Sequence, residues 1–157
     1  MVRFSGRRSS RVPRRAIRGA WWFYAIAVLS AINGVLVATS NTGHTTTFVA
    51  GLGFVEVADE FVGDIHIGSV SIPLCYVLDT AAVGLFFIFG RYAARGRRWA
   101  FIIGGLLYLL DTTTCFASGG LLALGIHVLA LFNIGLGFAA VQDLCTARAD
   151  ASAYRRR

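Results

Sequence analysis

The sequence predicts an all-α, polytopic membrane protein: an antiparallel bundle of four transmembrane helices with a short amphipathic helix outside the membrane. Three observations lead to this fold class: a surplus of apolar residues, four long apolar stretches, and arginines confined to the two ends and one loop. Of the 157 residues, 56% are hydrophobic and 15% are charged. A soluble domain carries about 25% charged residues, so the composition argues against one.

The arginines define the predicted orientation. All 15 basic residues are arginine, in blocks of seven, four and four. The blocks are Arg3, Arg7, Arg8, Arg11, Arg14, Arg15 and Arg18; Arg91, Arg95, Arg97 and Arg98; and Arg148, Arg155, Arg156 and Arg157. None lies between the first and second or the third and fourth apolar stretches, as the positive-inside rule requires. Both termini are therefore predicted in the cytoplasm.

The net charge of +7 could also suit a nucleic acid. Because the arginines flank apolar spans, they fit anionic lipid headgroups better. The expected partners are the bilayer and these headgroups, with no nucleic acid.

The chain begins with a basic tail, residues 1–19, predicted to be disordered or to lie along the inner membrane surface. The first span, residues 20–39, follows an arginine-rich leader and could be read as a signal peptide. Its apolar run exceeds the usual length of about 7–15 residues. Trp21, Trp22, Phe23 and Tyr24 also form an aromatic belt at the membrane entry. We predict a retained helix.

The external segment, residues 40–71, is the one long connection. Apolar residues within 48–62 recur at helical spacing, which predicts an amphipathic helix that is either interfacial or re-entrant. Its acidic residues are Glu56, Asp59, Glu60 and Asp64, with His44 and His66 on either side. Their spacing is loose for a divalent-metal site, so a solvated acidic surface is the preferred interpretation and no metal is predicted.

The remaining spans are predicted at residues 72–90, 99–117 and 121–141, followed by a basic cytoplasmic tail at 142–157. Pro73 stands at the outer start of the second span, where its missing N–H costs little. Short connections favour antiparallel neighbours and an up-down bundle within one membrane domain, residues 20–141.

Four polar residues lie at one predicted depth in the membrane. They are Asn33, Asp79, Asp111 and His127, one on each helix and each six or seven residues from the outer end. Such residues usually face the bundle interior. Two interpretations stay open: a hydrogen-bonded network that holds helices together, or a site for a proton, an ion or a small ligand.

Neither cofactor nor enzymatic chemistry is predicted. The sequence lacks a Cys-x-x-Cys pair, a catalytic triad motif and a phosphate-binding loop. Cys75 and Cys115 both lie near outer helix ends, so a disulfide between them stays open. Tyr76 to Thr80 resembles Tyr108 to Thr112, a weak indication of the inverted repeats found in transporters.

Several stretches resemble an uncharacterised family of small bacterial four-helix integral membrane proteins. The matching residues are Trp22, Phe23, Tyr24, Leu29, Ser30, Ala31, Ile32, Asn33, Gly51, Leu52, Gly53, Asp59, Ala100, Phe101, Ile102, Gly104, Tyr108, Leu110, Asp111, His127, Val128, Ala130 and Leu131. The family has Gln where this chain has Glu56, and Asp79 matches no family position. The resemblance implies the same topology in a bacterial inner membrane, supports Asn33, Asp111 and His127 above Asp79, and supplies no activity.

The leading functional expectation is a non-enzymatic membrane protein that serves as an accessory or structural subunit, in a homo-oligomer or a larger membrane complex. The alternative is a small transporter, or a proton- or ion-coupled carrier, that works through the intramembrane Asp and His residues. A scaffold should tolerate Asn in place of either aspartate, whereas a proton or ion site should not.

Overall fold

The computed structural model describes residues 12–39, 64–67, 70–118 and 121–154, with side chains at 12–36, 77–113 and 121–154. Its elements, in chain order, are α1 (Arg14–Thr39), β1 (Asp64–Ile67), β2 (Val70–Pro73), α2 (Leu74–Ala94), α3 (Arg98–Ser118) and α4 (Leu121–Tyr154). The described fold is helical apart from one short antiparallel hairpin of β1 and β2. The predicted helix at 48–62 lies outside the described residues.

Three of the four helices carry segments that are long and apolar enough to cross a membrane. These segments are Arg14–Leu36, Val77–Ala94 and Leu121–Tyr154. Large hydrophobic side chains remain exposed along all four helices, including Val35, Phe87, Leu106 and Phe132. Such surface is typical of a protein whose outer faces meet lipid rather than water.

All four helices extend beyond the predicted spans, and α1 and α4 extend the furthest. Pro13 precedes α1, and its carbonyl accepts a hydrogen bond of 3.2 Å from the N–H of Ile17. Proline suits this position because the first helical N–H groups have no intrahelical acceptor. The end of the predicted basic tail, 14–19, is therefore helical. At the other end, α4 has 34 residues, about 51 Å at 1.5 Å per residue, which exceeds the hydrocarbon thickness of about 30 Å.

The hairpin is a feature that the sequence analysis does not predict. Ile65 pairs with Ile72 and Ile67 with Val70, and α2 begins at Leu74, directly after β2. Pro73 is thus the last residue of a strand, whereas the sequence predicts it at the start of a transmembrane helix. Its missing N–H is tolerated at this edge position.

Contacts between neighbouring helices run in opposite order along the chain. A side chain at Gly34 would meet Asp79 and one at Gly90 would meet Tyr24, so numbers rise along α1 as they fall along α2. In the same way, Asp111 contacts His127 and Phe101 contacts Gly137 across α3 and α4.

The core around Phe23 is aromatic. The Phe23 ring lies 5.9–6.2 Å, between centroids, from the rings of Phe86, Phe89 and Phe101. This one ring from α1 therefore contacts both α2 and α3.

Candidate functional site

A buried carboxyl–imidazole pair joins α3 to α4. Oδ2 of Asp111 lies 3.0 Å from Nε2 of His127, and both side chains are 0% exposed. Asp111 follows the buried residues Gly104 and Tyr108 along one stripe of α3, while His127 lies between Ala123 and Ala130 on the buried face of α4. Helical spacing on each helix therefore directs one polar group into the same interior position.

The second ring nitrogen of His127 fixes the tautomer. Nδ1 lies 2.8 Å from the carbonyl oxygen of Ala123. Because a carbonyl oxygen only accepts, Nδ1 must carry a hydrogen and donate it. Nε2 then either donates to an ionised Asp111 or accepts from the Asp111 carboxyl group in its protonated form. In both cases one proton lies between the two residues, and the pair has no net charge.

Tyr108 covers one face of the imidazole. Its ring is stacked on that of His127, with the centroids 4.7 Å apart and the planes 8° from parallel. On the same helix, the Thr112 hydroxyl donates a hydrogen bond of 2.8 Å to the Tyr108 carbonyl oxygen. The stacking and both ring hydrogen bonds restrict the orientation of the imidazole.

Ser30 is the polar residue that α1 directs into the core. Its hydroxyl is buried and has no hydrogen-bond partner among the described residues. A side chain at Gly19 would collide with Gly137, so α1 and α4 are in closest contact there. Ser30 is eleven residues beyond Gly19, and His127 is ten residues before Gly137. At about 1.5 Å per residue, Ser30 and His127 therefore lie at the same level of the bundle.

The other two members of the predicted layer are only half-buried. Asn33 lies beside the core face of α1 that Ser30 occupies. The Asp79 carboxylate lies against the backbone of Gly34, in the contact between α1 and α2. The structure thus brings Asp111 and His127 together and places Asp79 at a different helix contact. Sequence spacing does identify Ser30 and Asn33 as neighbours on one face of a helix, but it does not say which of them is buried.

Several predicted sites lie outside the described part of the chain. The structure does not describe Glu56, Asp59 and Glu60. The described side chains also exclude those of Asp64, Cys75 and Cys115. Within the described ranges, no group of three His, Cys, Asp or Glu residues is arranged to hold a metal ion. A shallow apolar groove on the outward face of α1, lined by Val28, Ala31, Ile32, Val35 and Leu36, does not involve the pair.

The geometry limits what the pair can do chemically. A general base or a metal ligand presents a nitrogen lone pair to its target. Here Nδ1 donates to a backbone carbonyl and Nε2 is bound to Asp111. His127 can therefore perform neither task unless one of these two hydrogen bonds breaks.

Comparison with known proteins adds no relative: family models, curated sequences and solved structures all give no match. The interpretation of the site therefore depends on its own geometry, and the family resemblance drawn from the sequence carries no further argument.

Proposed function

We propose that this chain is a non-enzymatic integral membrane protein, an accessory or structural subunit built as an antiparallel four-helix bundle in a bacterial inner membrane. The observation that supports this proposal is the buried Asp111–His127 pair, whose hydrogen bonds are formed within the bundle. Both hydrogen-bonding nitrogens of the imidazole are engaged and both side chains are fully buried. A polar group that is satisfied within the bundle serves to hold helices in register.

The outer surface supports a role in assembly. The apolar side chains exposed along the helices must be covered by lipid or by other membrane helices. We infer that the protein acts through these faces, in a homo-oligomer or a larger membrane complex, while the pair keeps α3 and α4 fixed to each other. The cytoplasmic placement of both termini belongs to the same proposal and follows from the arginine distribution.

Substitution of Asp111 tests the proposal. In Asp111→Asn, the amide can donate to Nε2 of a neutral His127, so the hydrogen bond persists and the free energy of unfolding should fall by only about 1 kcal/mol. In Asp111→Leu, the imidazole loses its partner, and the loss should reach about 3 kcal/mol. Thermal unfolding in detergent measures both values. Asp143→Asn, the same change at an exposed position of α4, is the matched control and should be neutral.

The carrier alternative is tested on the same three variants in liposomes. If the Asp111–His127 pair is structural, liposomes with the wild-type protein should show no proton or cation flux under any imposed gradient. Flux that Asp111→Asn abolishes while the variant stays folded would contradict the structural role and support a coupled carrier.

A further inference from the structure

The start of α1 lies against the turn between α2 and α3. A side chain at Gly96 would have the Cγ2 methyl of Val12 at 3.6 Å. Arg14 and Arg15 begin α1 just after Val12, and Arg95 and Arg97 flank Gly96 in the turn; all four arginine side chains are exposed. This contact therefore brings together two backbone segments, from separate parts of the chain, that each carry two exposed arginines. We call Arg14, Arg15, Arg95 and Arg97 the arginine surface.

Backbone hydrogen bonds fix the conformation of the turn that carries Arg95 and Arg97. Gly96 has φ 74°, a left-handed conformation that favours glycine. The N–H of Gly96 donates to the Ala93 carbonyl at 2.8 Å, and the N–H of Arg97 donates to the Tyr92 carbonyl at 3.1 Å. This pattern closes the C-terminus of α2 and satisfies its last carbonyl groups. The Arg95 guanidinium also lies 5.8 Å from the centre of the Tyr92 ring.

The next helix adds further hydrogen-bond donors to the same place. Arg97 directly precedes α3, which begins at Arg98. An arginine side chain has only donors, so Arg97 cannot cap the first N–H groups of α3 as a Ser or Asp would. The guanidinium groups and the helix N-terminus therefore favour the same kind of ligand, a negatively charged acceptor.

Aromatic residues indicate the depth of the arginine surface. The Trp99 ring is 5.1 Å from that of Tyr92 and 6.1 Å from that of Phe89, between centroids, and Trp99 is 41% exposed. Trp and Tyr concentrate at the level of the lipid headgroups. The position of Trp99 and Tyr92 therefore predicts that the neighbouring arginines lie at the level of the phospholipid phosphates.

Charge complementarity identifies the ligand class. Within the described part of the chain, none of the four arginines forms an ion pair with a carboxylate. We propose that the arginine surface binds the phosphate of an anionic phospholipid, with one headgroup held between the start of α1 and the α2–α3 turn. The proposal goes beyond the structural role above, since it concerns a lipid site that is separate from the buried pair.

The test measures lipid selectivity with and without the turn arginines. The protein is reconstituted in phosphatidylcholine bilayers, and electron spin resonance compares the association of spin-labelled phosphatidylglycerol with that of spin-labelled phosphatidylcholine. We expect the wild type to prefer phosphatidylglycerol and the double variant Arg95→Gln with Arg97→Gln to reduce the ratio about tenfold. The matched control, Arg155→Gln with Arg156→Gln, removes the same charge from the C-terminal tail and should change the ratio less than about twofold.

A second pair of substitutions tests the other side of the site. Arg14→Gln with Arg15→Gln should reduce the ratio as much as the turn variant does, because both pairs are proposed to contact one headgroup. Equal reductions in the tail control and the turn variant would show attraction by net charge alone and overturn the proposal. A wild-type protein with no preference for phosphatidylglycerol would also overturn it. Neither result bears on proton flux or on the stability of the Asp111 variants, so the two proposals fail independently.

Discussion

The polar residues of the predicted spans differ in how completely they are buried and hydrogen-bonded within the bundle. Asp111 and His127 could be selected from the sequence because charged residues inside a membrane span are costly and usually face inward. The same reasoning selected Asn33 on α1, whereas the structure buries Ser30 and leaves Asn33 half-buried. These two positions are three residues apart and share a helix face, so their burial depends on how α1 is rotated against α4. Tertiary packing sets that rotation, and the sequence pattern does not encode it.

Ser30 provides a prediction at the scale of a single residue. A buried hydroxyl without a partner destabilises the fold, so Ser30→Ala should leave the free energy of unfolding unchanged or raise it by up to about 1 kcal/mol. Thermal unfolding in detergent measures the change. The control is Ser152→Ala, which removes an exposed hydroxyl that donates to the Ala149 carbonyl at 2.7 Å and should be neutral within about 0.5 kcal/mol. A loss of more than about 1 kcal/mol in Ser30→Ala would show that the hydroxyl has a partner.

Helices α1 and α4 approach each other closely at Gly19 and Gly137. A Cβ at Gly19 would lie 2.7 Å from the Gly137 Cα and 2.9 Å from the Asn133 carbonyl oxygen. Close approach of this kind is how membrane helices gain packing contacts, because lipid provides no hydrophobic force between them. Gly125 on α4, by contrast, has nothing within 4 Å of the equivalent position.

These two glycines give a matched pair of substitutions. Gly19→Ala should lower the free energy of unfolding by about 1–3 kcal/mol, because backbone atoms of α4 cannot move aside as a flexible side chain can. Gly125→Ala should be neutral or stabilising, since alanine favours a helix over glycine by about 1 kcal/mol. Thermal unfolding of both variants in the same detergent measures the difference. Equal stability of the two variants would contradict the close contact between α1 and α4.

The helices and strands differ in the sequence signals that predict them. Apolar runs predicted four helices, because burial in hydrocarbon requires such runs. The hairpin had a signal too: β-branched residues alternate with others on both sides of Gly68 and Ser69, a two-residue connection typical of hairpins. The extension of α4 to Tyr154 had a weaker sequence signal, in which alanines alternate with charged and other polar residues. A search for apolar runs cannot find a helix that continues into water.

The whole molecule is asymmetric along the membrane axis. The described arginines lie at one end of the bundle, beside the start of α1, the α2–α3 turn and the extension of α4. The Asp111–His127 pair lies toward the opposite end of the bundle, near the end of α3 and the start of α4. The proposed lipid site and the proposed helix-fixing pair therefore occupy opposite ends. Substitutions at one end leave the contacts at the other intact, so their effects on stability should add.

The orientation of this asymmetric molecule is the last prediction. The arginine distribution predicts that both termini lie in the cytoplasm, because basic residues beside spans resist translocation. In a background with Cys75, Cys115 and Cys145 replaced by serine, we expect Thr46→Cys to react with a membrane-impermeant maleimide in intact cells. Ser152→Cys, in the exposed extension of α4, should react only after the membrane is permeabilised. Labelling at each position is compared with that of the detergent-denatured sample, in which both cysteines react fully. Labelling of Ser152→Cys from outside, with Thr46→Cys protected, would contradict this prediction. It would show the opposite orientation, with the arginine surface at the outer leaflet.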